Sequence, residues 1–171
     1  MLRTRQAARL LVINPAGQIL LFQAHDPTVN SPGKKPLEVF WFTPGGGLEP
    51  GETYEQAALR ELWEEARIQL DQVGPVVWLR ESTVEINGEL MRFEQQYFLV
   101  RVENSYHDAS QDSGMPEWAT LLQARWWSLE ELKTTSDPVF PENLAAWLEP
   151  ILLGQIPELP LDITARQDTP S

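Results

Sequence analysis

Gly46-Gly47-Leu48-Glu49-Pro50-Gly51-Glu52-Thr53-Tyr54-Glu55-Gln56-Ala57-Ala58-Leu59-Arg60-Glu61-Leu62-Trp63-Glu64-Glu65-Ala66-Arg67-Ile68 is the stretch that decides the fold. Glu61, Glu64 and Glu65 fall at i, i+3 and i+4. At ~100° per residue they share one arc of a helix. Like charges at this spacing repel by roughly 0.2–0.5 kcal/mol per pair. A helix built only for solvation would alternate signs here. A cluster of hard oxygen donors suits a divalent cation such as Mg²⁺ or Mn²⁺.

The flanks of these acids set the helix. Thr53 is a good N-cap, with Gln56 three residues on as in a capping box. Glu52 and Glu55 sit at the positive end of the helix. The spacing predicts a helix to about Ala66, with Ala58, Leu59, Leu62, Trp63 and Ala66 as its buried arc. Ala57 falls on the acid side, where a small residue leaves room for a cation. Arg60 and Glu64 are an i, i+4 pair, so Arg60 is expected to orient that carboxylate from behind the ligands. Ahead of the helix, Thr43-Pro44-Gly45-Gly46-Gly47 is expected to form a tight turn. Its glycines allow positive φ and close approach of backbone to a ligand. Gly46 and Gly47 are therefore candidate substrate contacts.

Working outward, Val39 to Phe42 reads as a short apolar strand. Residues 7–13 and 18–23 read as the two strands of a hairpin around Asn14-Pro15-Ala16-Gly17. The loop from about Ala24 to Pro36 carries Lys34 and Lys35. It reads either as a flap over phosphate or as a solvated loop tip. Val76 to Ile86 and Glu89 to Val102 read as long strands around Asn87-Gly88, a hairpin signal. Arg80, Arg92 and Tyr97 on them either reach a ligand or stand on an exposed strand face. A polar loop, Glu103 to Glu117, follows. Ala124 to Ser128 reads as a strand, and Ser128 as the cap of a short helical turn, Leu129 to Leu132. Pro141 at the first helical position is expected to open a last helix, Glu142 to Leu153. Residues 1–154 are read as one domain and 155–171 as a Pro-rich tail, its last ten residues disordered. Phe22 and Trp41, near the acid stretch in sequence, are the candidates to stack on a base.

Composition narrows the function. With 171 residues and 42% hydrophobic content, the chain suits a single core. It has no cysteine, which excludes disulfides, thiolate zinc sites and a Cys nucleophile. No apolar run approaches the ~20 residues of a membrane span. The N-terminus lacks the apolar region of a signal peptide, so a cytoplasmic location is expected. The formal net charge is −12. No basic patch of useful size interrupts it, which makes long nucleic acid an unlikely partner. A negative protein that handles a phosphate ester needs cations as a bridge. No Ser–His–Asp or Cys–His arrangement stands out. The residues alone point to a metal-dependent hydrolase of a phosphorus ester.

The spacing Gly46, five residues, Glu52, seven residues, Arg60-Glu61-Leu62, one residue, Glu64-Glu65, one residue, Arg67-Ile68 closely resembles the Nudix box. That pattern is G-x5-E-x7-R-E-U-x-E-E-x-G-U, with U apolar. Every specified position matches except Arg67, where the pattern has glycine. A looser likeness runs through most of the chain, including Arg125-Trp126-Trp127-Ser128-Leu129-Glu130-Glu131-Leu132.

The resemblance implies an α/β/α sandwich with a mixed β-sheet. It implies hydrolysis of a nucleoside diphosphate linked to another moiety, by water attack at phosphorus with Mg²⁺ or Mn²⁺. Carried over by position, Glu64 and Glu65 are the main metal ligands, and Glu61 is a ligand or the general base. Glu52 is an outer ligand or a support for the cluster, and the Gly45 carbonyl completes the metal shell. Many members add an acid from the loop before the last strand; Glu117 is the first choice and Asp112 the reserve. The expected partner is a small nucleotide, and a homodimer stays open. The alternative is a Nudix-like nucleotide sensor without hydrolysis, although such domains usually lose acids that this chain keeps. Arg67 stands where glycine commonly takes left-handed angles, so it either carries that cost or ends the helix differently.

Overall fold

The computed structural model describes residues 2–27, 29–30, 32–33, 39–103 and 120–164. Its centre is a run of apolar residues buried on both faces. Strand β1 (Arg3–Ile13) lies parallel to β7 (Glu89–Arg101), from Arg3 opposite Met91 to Ile13 opposite Arg101. A strand covered on both sides reads as a continuous apolar run, as Leu10 to Ile13 does. Because side chains alternate, this one run serves two cores. Ala8, Leu10 and Val12 pack with Phe98 and Val100 against helix α1 (Tyr54–Ala66). Leu11 and Ile13 pack with Tyr97 and Leu99 against α2 (Leu129–Thr134) and α3 (Leu144–Leu152). The result is the expected layering of helix, mixed sheet and helix.

The sheet forks at β2 (Ile19–His25). It meets β1 only at Ile13 opposite Ile19, then pairs antiparallel with β4 (Val39–Phe42) and β8 (Thr120–Trp127). Strand β3 (Val29–Asn30) crosses to the far end of β6 (Val76–Ile86). Strands β6 and β7 form the expected hairpin. Asn87 and Gly88 both take positive φ, 52° and 80°, as a two-residue turn of matching twist requires.

Four expectations change. Gly45 to Gly47 are not a turn but a short strand, β5, antiparallel to β1, with Ala7 opposite Gly47 and Arg9 opposite Gly45. Glycine is needed for packing here: at Gly45 (φ 139°) a Cβ would lie 2.1 Å from the Ala8 carbonyl oxygen. Pro141 does not open the last helix. It leaves β9 (Val139–Phe140), which pairs with β4, through a cis peptide bond, and α3 starts after Asn143. The tail is not free up to Thr164. Strand β10 (Leu161–Asp162) adds to β6, and Ile163 enters the core beside Val77 and Trp78. Finally, Trp63 is 47% exposed instead of buried. The buried arc of α1 runs through Ala57, Ala58, Glu61, Leu62, Glu65 and Ala66, so the acids lie on the buried face itself. Trp63 falls on the side away from them.

Candidate active site

Helix α1 is phased by its first turn. The Gln56 N–H donates to Thr53 Oγ1 at 3.1 Å, and the Thr53 N–H donates to Gln56 Oε1 at 2.9 Å. This closes the capping box and points the acid face at β5. Glu61 and Glu65 are 6% and 4% exposed, while the Glu64 side chain keeps 40%. The Gly45 N–H donates to Glu65 Oε2 at 3.0 Å. The Glu61 carboxylate lies over Gly46, where a Cβ would come within 2.3 Å of Oε1. The glycine strand is thus the floor on which two carboxylates rest.

Arg60 gathers the others. Its Nε and Nη2 donate to the two oxygens of Glu52, each at 2.8 Å. Nη1 donates to Glu61 Oε1 at 2.8 Å and to Glu64 Oε2 at 3.2 Å, and Nη2 to the Gly47 carbonyl at 3.0 Å. All five guanidinium N–H donors find acceptors. This multiple pairing pushes the Arg60 pKa up, and the Arg60 hydrogen bonds hold Glu52 below the usual carboxylate range.

Glu61 and Glu65 are less well compensated. Burial raises the Glu61 pKa despite Arg60, and burial together with the Glu61 charge pushes Glu65 well above the ordinary value. Glu61 Oε2 is buried with no hydrogen-bond partner among the described residues. An orphaned carboxylate oxygen beside a second buried carboxylate fits a divalent cation, and the donor set is all hard oxygen. Among the described residues no three Asp, Glu or His side chains converge into a ready-made cation cage.

The remaining expectations scatter. The Gly45 carbonyl already accepts from Arg9 Nη1 at 3.3 Å. Phe22 and Trp41, 1% and 2% exposed, are core residues and offer no face to a base. Trp41 packs edge-on against Trp127 and donates its indole N–H to Asp137 at 3.2 Å. Tyr97 is buried against Trp78. Arg80 is buried and paired with Gln95 and Glu142, not exposed on a strand face. Arg92 pairs with Glu81 at the surface. Glu117, Asp112, Lys34 and Lys35 lie outside the described residues. Arg9 went unremarked in the sequence. Its signal was there: a lone arginine heading the apolar run Leu10 to Ile13.

Comparison with known proteins agrees with this architecture. The family model for the NUDIX domain matches residues 3–148. The RNA pyrophosphohydrolase of Erythrobacter litoralis is 30% identical over 141 residues, covering 77% of this chain and 80% of that protein. The RNA pyrophosphohydrolase of Pectobacterium carotovorum is 28% identical over 148 residues, covering 77% and 78%. Among solved structures, the MutT protein from Methanosarcina mazei Go1 superposes with a TM-score of 0.62 over 86% of this chain and 92% of that one. At 20% identity that likeness speaks for the fold alone.

Proposed function

The chain belongs to the NUDIX family of pyrophosphohydrolases, and from that premise we propose that it cleaves a pyrophosphate linkage in a nucleotide by divalent-metal-dependent attack of water at phosphorus. The observation that carries the metal reading is the buried pair Glu61 and Glu65, one of whose oxygens has no hydrogen-bond partner among the described residues. Glu61, Glu64 and Glu65 would hold Mg²⁺ or Mn²⁺, with the Gly45 carbonyl beside them. A divalent cation in such a site neutralises phosphate charge and makes water more acidic.

The chain's own residues do the rest. Glu65 is fixed by the Gly45 N–H, so its carboxylate is oriented before any ligand arrives. Glu61, whose Oε2 has no hydrogen-bond partner among the described residues, is proposed either as a metal ligand or as the general base that accepts a proton from attacking water. Arg60 holds Glu52 below the usual carboxylate range and keeps Glu64 close by through an ion pair. Glu117 remains the proposed acid from outside the helix, with Asp112 behind it. Glu117→Gln should lower kcat by about 10²-fold if it is a general base.

The relatives' name concerns RNA, whereas a net charge of −12 argues against a long nucleic-acid footprint. Both agree with a substrate that inserts only its 5′ phosphate chain. The test is a panel with Mg²⁺ or Mn²⁺: nucleoside triphosphates, dinucleoside polyphosphates, nucleoside diphosphate sugars and a 5′-triphosphorylated oligoribonucleotide. Release of a nucleoside monophosphate end is expected for at least one. Tight binding without turnover of any would favour the sensor alternative. Among the described residues no helix is long and apolar enough to cross a membrane.

A further inference from the structure

Strand β10 lies beyond the stretch that the family model matches, which ends at residue 148, yet it is built into the sheet. Leu161 stands opposite Trp78 and Asp162 opposite Leu79, parallel to β6. The Ile163 N–H donates to the Leu79 carbonyl at 2.9 Å, and the Glu81 N–H donates to Thr164 Oγ1 at 2.9 Å. Ile163 itself is 5% exposed. Returning so buried an apolar side chain to water is unfavourable, so this end of the chain is fastened to β6.

The strand order runs β10-β6-β7-β1-β2-β4-β9. Strands β9 and β10, joined through α3, thus stand at its two ends. Between them the sheet forks, because β1 meets β2 at one register pair, Ile13 opposite Ile19. Helix α3 packs into one core with Trp41 and Trp127 from one side of the fork and Trp78 and Tyr97 from the other. The segment from β9 through α3 to β10 is therefore a belt across the fork, and Ile163 is its buckle.

The buckle closes on a row of residues that ends at the acids. Trp78 lies opposite Tyr97, their ring centroids 5.6 Å apart. Tyr97 lies opposite Arg9, and Arg9 opposite Gly45. Arg9 donates to the Gly45 carbonyl, and the Gly45 N–H donates to Glu65 Oε2. Ile163 shares its core with Trp78 and Tyr97, at the other end of that row. Close-packed interiors are stiff and transmit displacement. The belt also grips the neighbouring row: Arg80, between the two anchors Leu79 and Glu81, donates to Glu142 Oε2 at 2.8 Å just ahead of α3.

From this juxtaposition we infer that Ile163 is a positioning residue of the active site. By fastening the belt to β6 it fixes the row whose last peptide, Gly45, holds Glu65. The inference rests on the reading of Glu65 as a metal ligand of a pyrophosphohydrolase.

Three full-chain variants test it: Ile163→Ala, Ile163→Val and Leu132→Ala. Leu132 is buried in the same core but stands on α2, outside both belt and row. Both alanine variants should melt several degrees lower, as emptied core positions do. Well below those temperatures, Ile163→Ala should lower kcat about tenfold at saturating Mg²⁺, with KM within about twofold of wild type. Its Gly45 amide proton should move upfield in the NMR spectrum as the bond to Glu65 lengthens. Leu132→Ala should leave both readings at wild type. Ile163→Val, which loses one carbon, should shift both less, and it carries the test if Ile163→Ala does not fold. Wild-type kcat and an unmoved Gly45 amide in the Ile163 variants would overturn the inference. Equal changes in Leu132→Ala would overturn it too, because they would report lost stability alone. A wild type that hydrolyses no nucleotide would remove the proposed function and leave the Gly45 amide to decide whether Ile163 sets the position of Glu65.

Discussion

Glu52 and Arg60, eight residues apart, meet through two hydrogen bonds of 2.8 Å each, across the loop-to-helix junction. The same guanidinium also holds Glu61, Glu64 and the Gly47 carbonyl. Arg60→Ala should therefore strip the counter-charge from three carboxylates at once. The side chain is partly solvated, so the loss is smaller than for a fully buried pair, about 1–3 kcal/mol. For a chain of this size that lowers the metal-free melting temperature by several degrees. Added Mg²⁺ should restore part of it. Scanning calorimetry reads both, and an unchanged melting temperature would show the clamp to be incidental.

Glu65→Gln and Glu64→Gln should lower kcat far more than they destabilise the fold. In the metal-free protein Glu65 is a buried carboxylate with its pKa pushed up, so a neutral amide of the same shape suits the site. Its melting temperature should hold or rise, while stabilisation by Mg²⁺ shrinks. Activity of the wild type should vanish in excess chelator. Loss of the fold with an intact response to Mg²⁺ would make these residues structural instead.

Acid and alkaline limbs of stability should have different owners. Glu61 and Glu65 have folded pKa values above the ordinary 4.5, so between that value and the raised ones the folded state binds more protons. Metal-free stability then falls as pH rises through that window. Glu52 runs the other way. Arg60 holds it below 4.5, so its contribution is present above 4.5 and is lost as pH falls through the lower folded value. Saturating Mg²⁺ should flatten the alkaline limb and release protons. Titrations in two buffers of different ionisation enthalpy count those protons. A buffer-independent enthalpy within the window would mean that both acids are ionised beforehand.

Arg67 adopts the left-handed conformation, φ 55° and ψ 31°, that the usual glycine would favour. Its guanidinium lies over the Trp63 ring, 5.3 Å from the centroid, one helical turn back. A left-handed residue with a side chain costs about 1 kcal/mol. An exposed cation–π contact returns about 0.5–1 kcal/mol. Arg67→Gly should therefore shift the melting temperature by no more than a few degrees, upward if at all, with kcat unchanged. A large fall in kcat would give Arg67 a role beyond the helix end.

Much of this fold could be read along the chain because its signals are local. The capping box at Thr53 and Gln56, the turn at Asn87-Gly88 and the cap at Ser128 each depend on neighbouring residues and formed as read. What escaped depends on partners far away. Gly45 to Gly47 became a strand because β1 lies beside them, and no residue in the glycine run signals that. Trp63 turned outward because Glu61 and Glu65 took the buried face, where periodicity would place only apolar side chains. Phe22 and Trp41 were near the acids in sequence but point into the two cores. Proximity along the chain did not carry over into proximity in the fold.

Gly46 and Gly47 separate packing from chemistry most cleanly. Neither has positive φ, so alanine meets no backbone strain at either. At Gly47 a Cβ would find its nearest atom at 3.7 Å, an ordinary contact with the Arg5 guanidinium. At Gly46 it would fall 2.3 Å from Glu61 Oε1 and 2.7 Å from Cδ. Those atoms end a flexible side chain, so the carboxylate can swing away at modest cost to the fold. It cannot swing and keep its place beside Glu65. Displacing a reacting group by about 1 Å can cost 10²-fold in rate. Gly46→Ala should thus lower kcat by about that factor while its melting temperature stays within a few degrees of wild type. Gly47→Ala should leave both nearly unchanged. Equal kcat in the two variants would mean that the position of Glu61 does not matter to turnover, and its role as proton acceptor would fall with it.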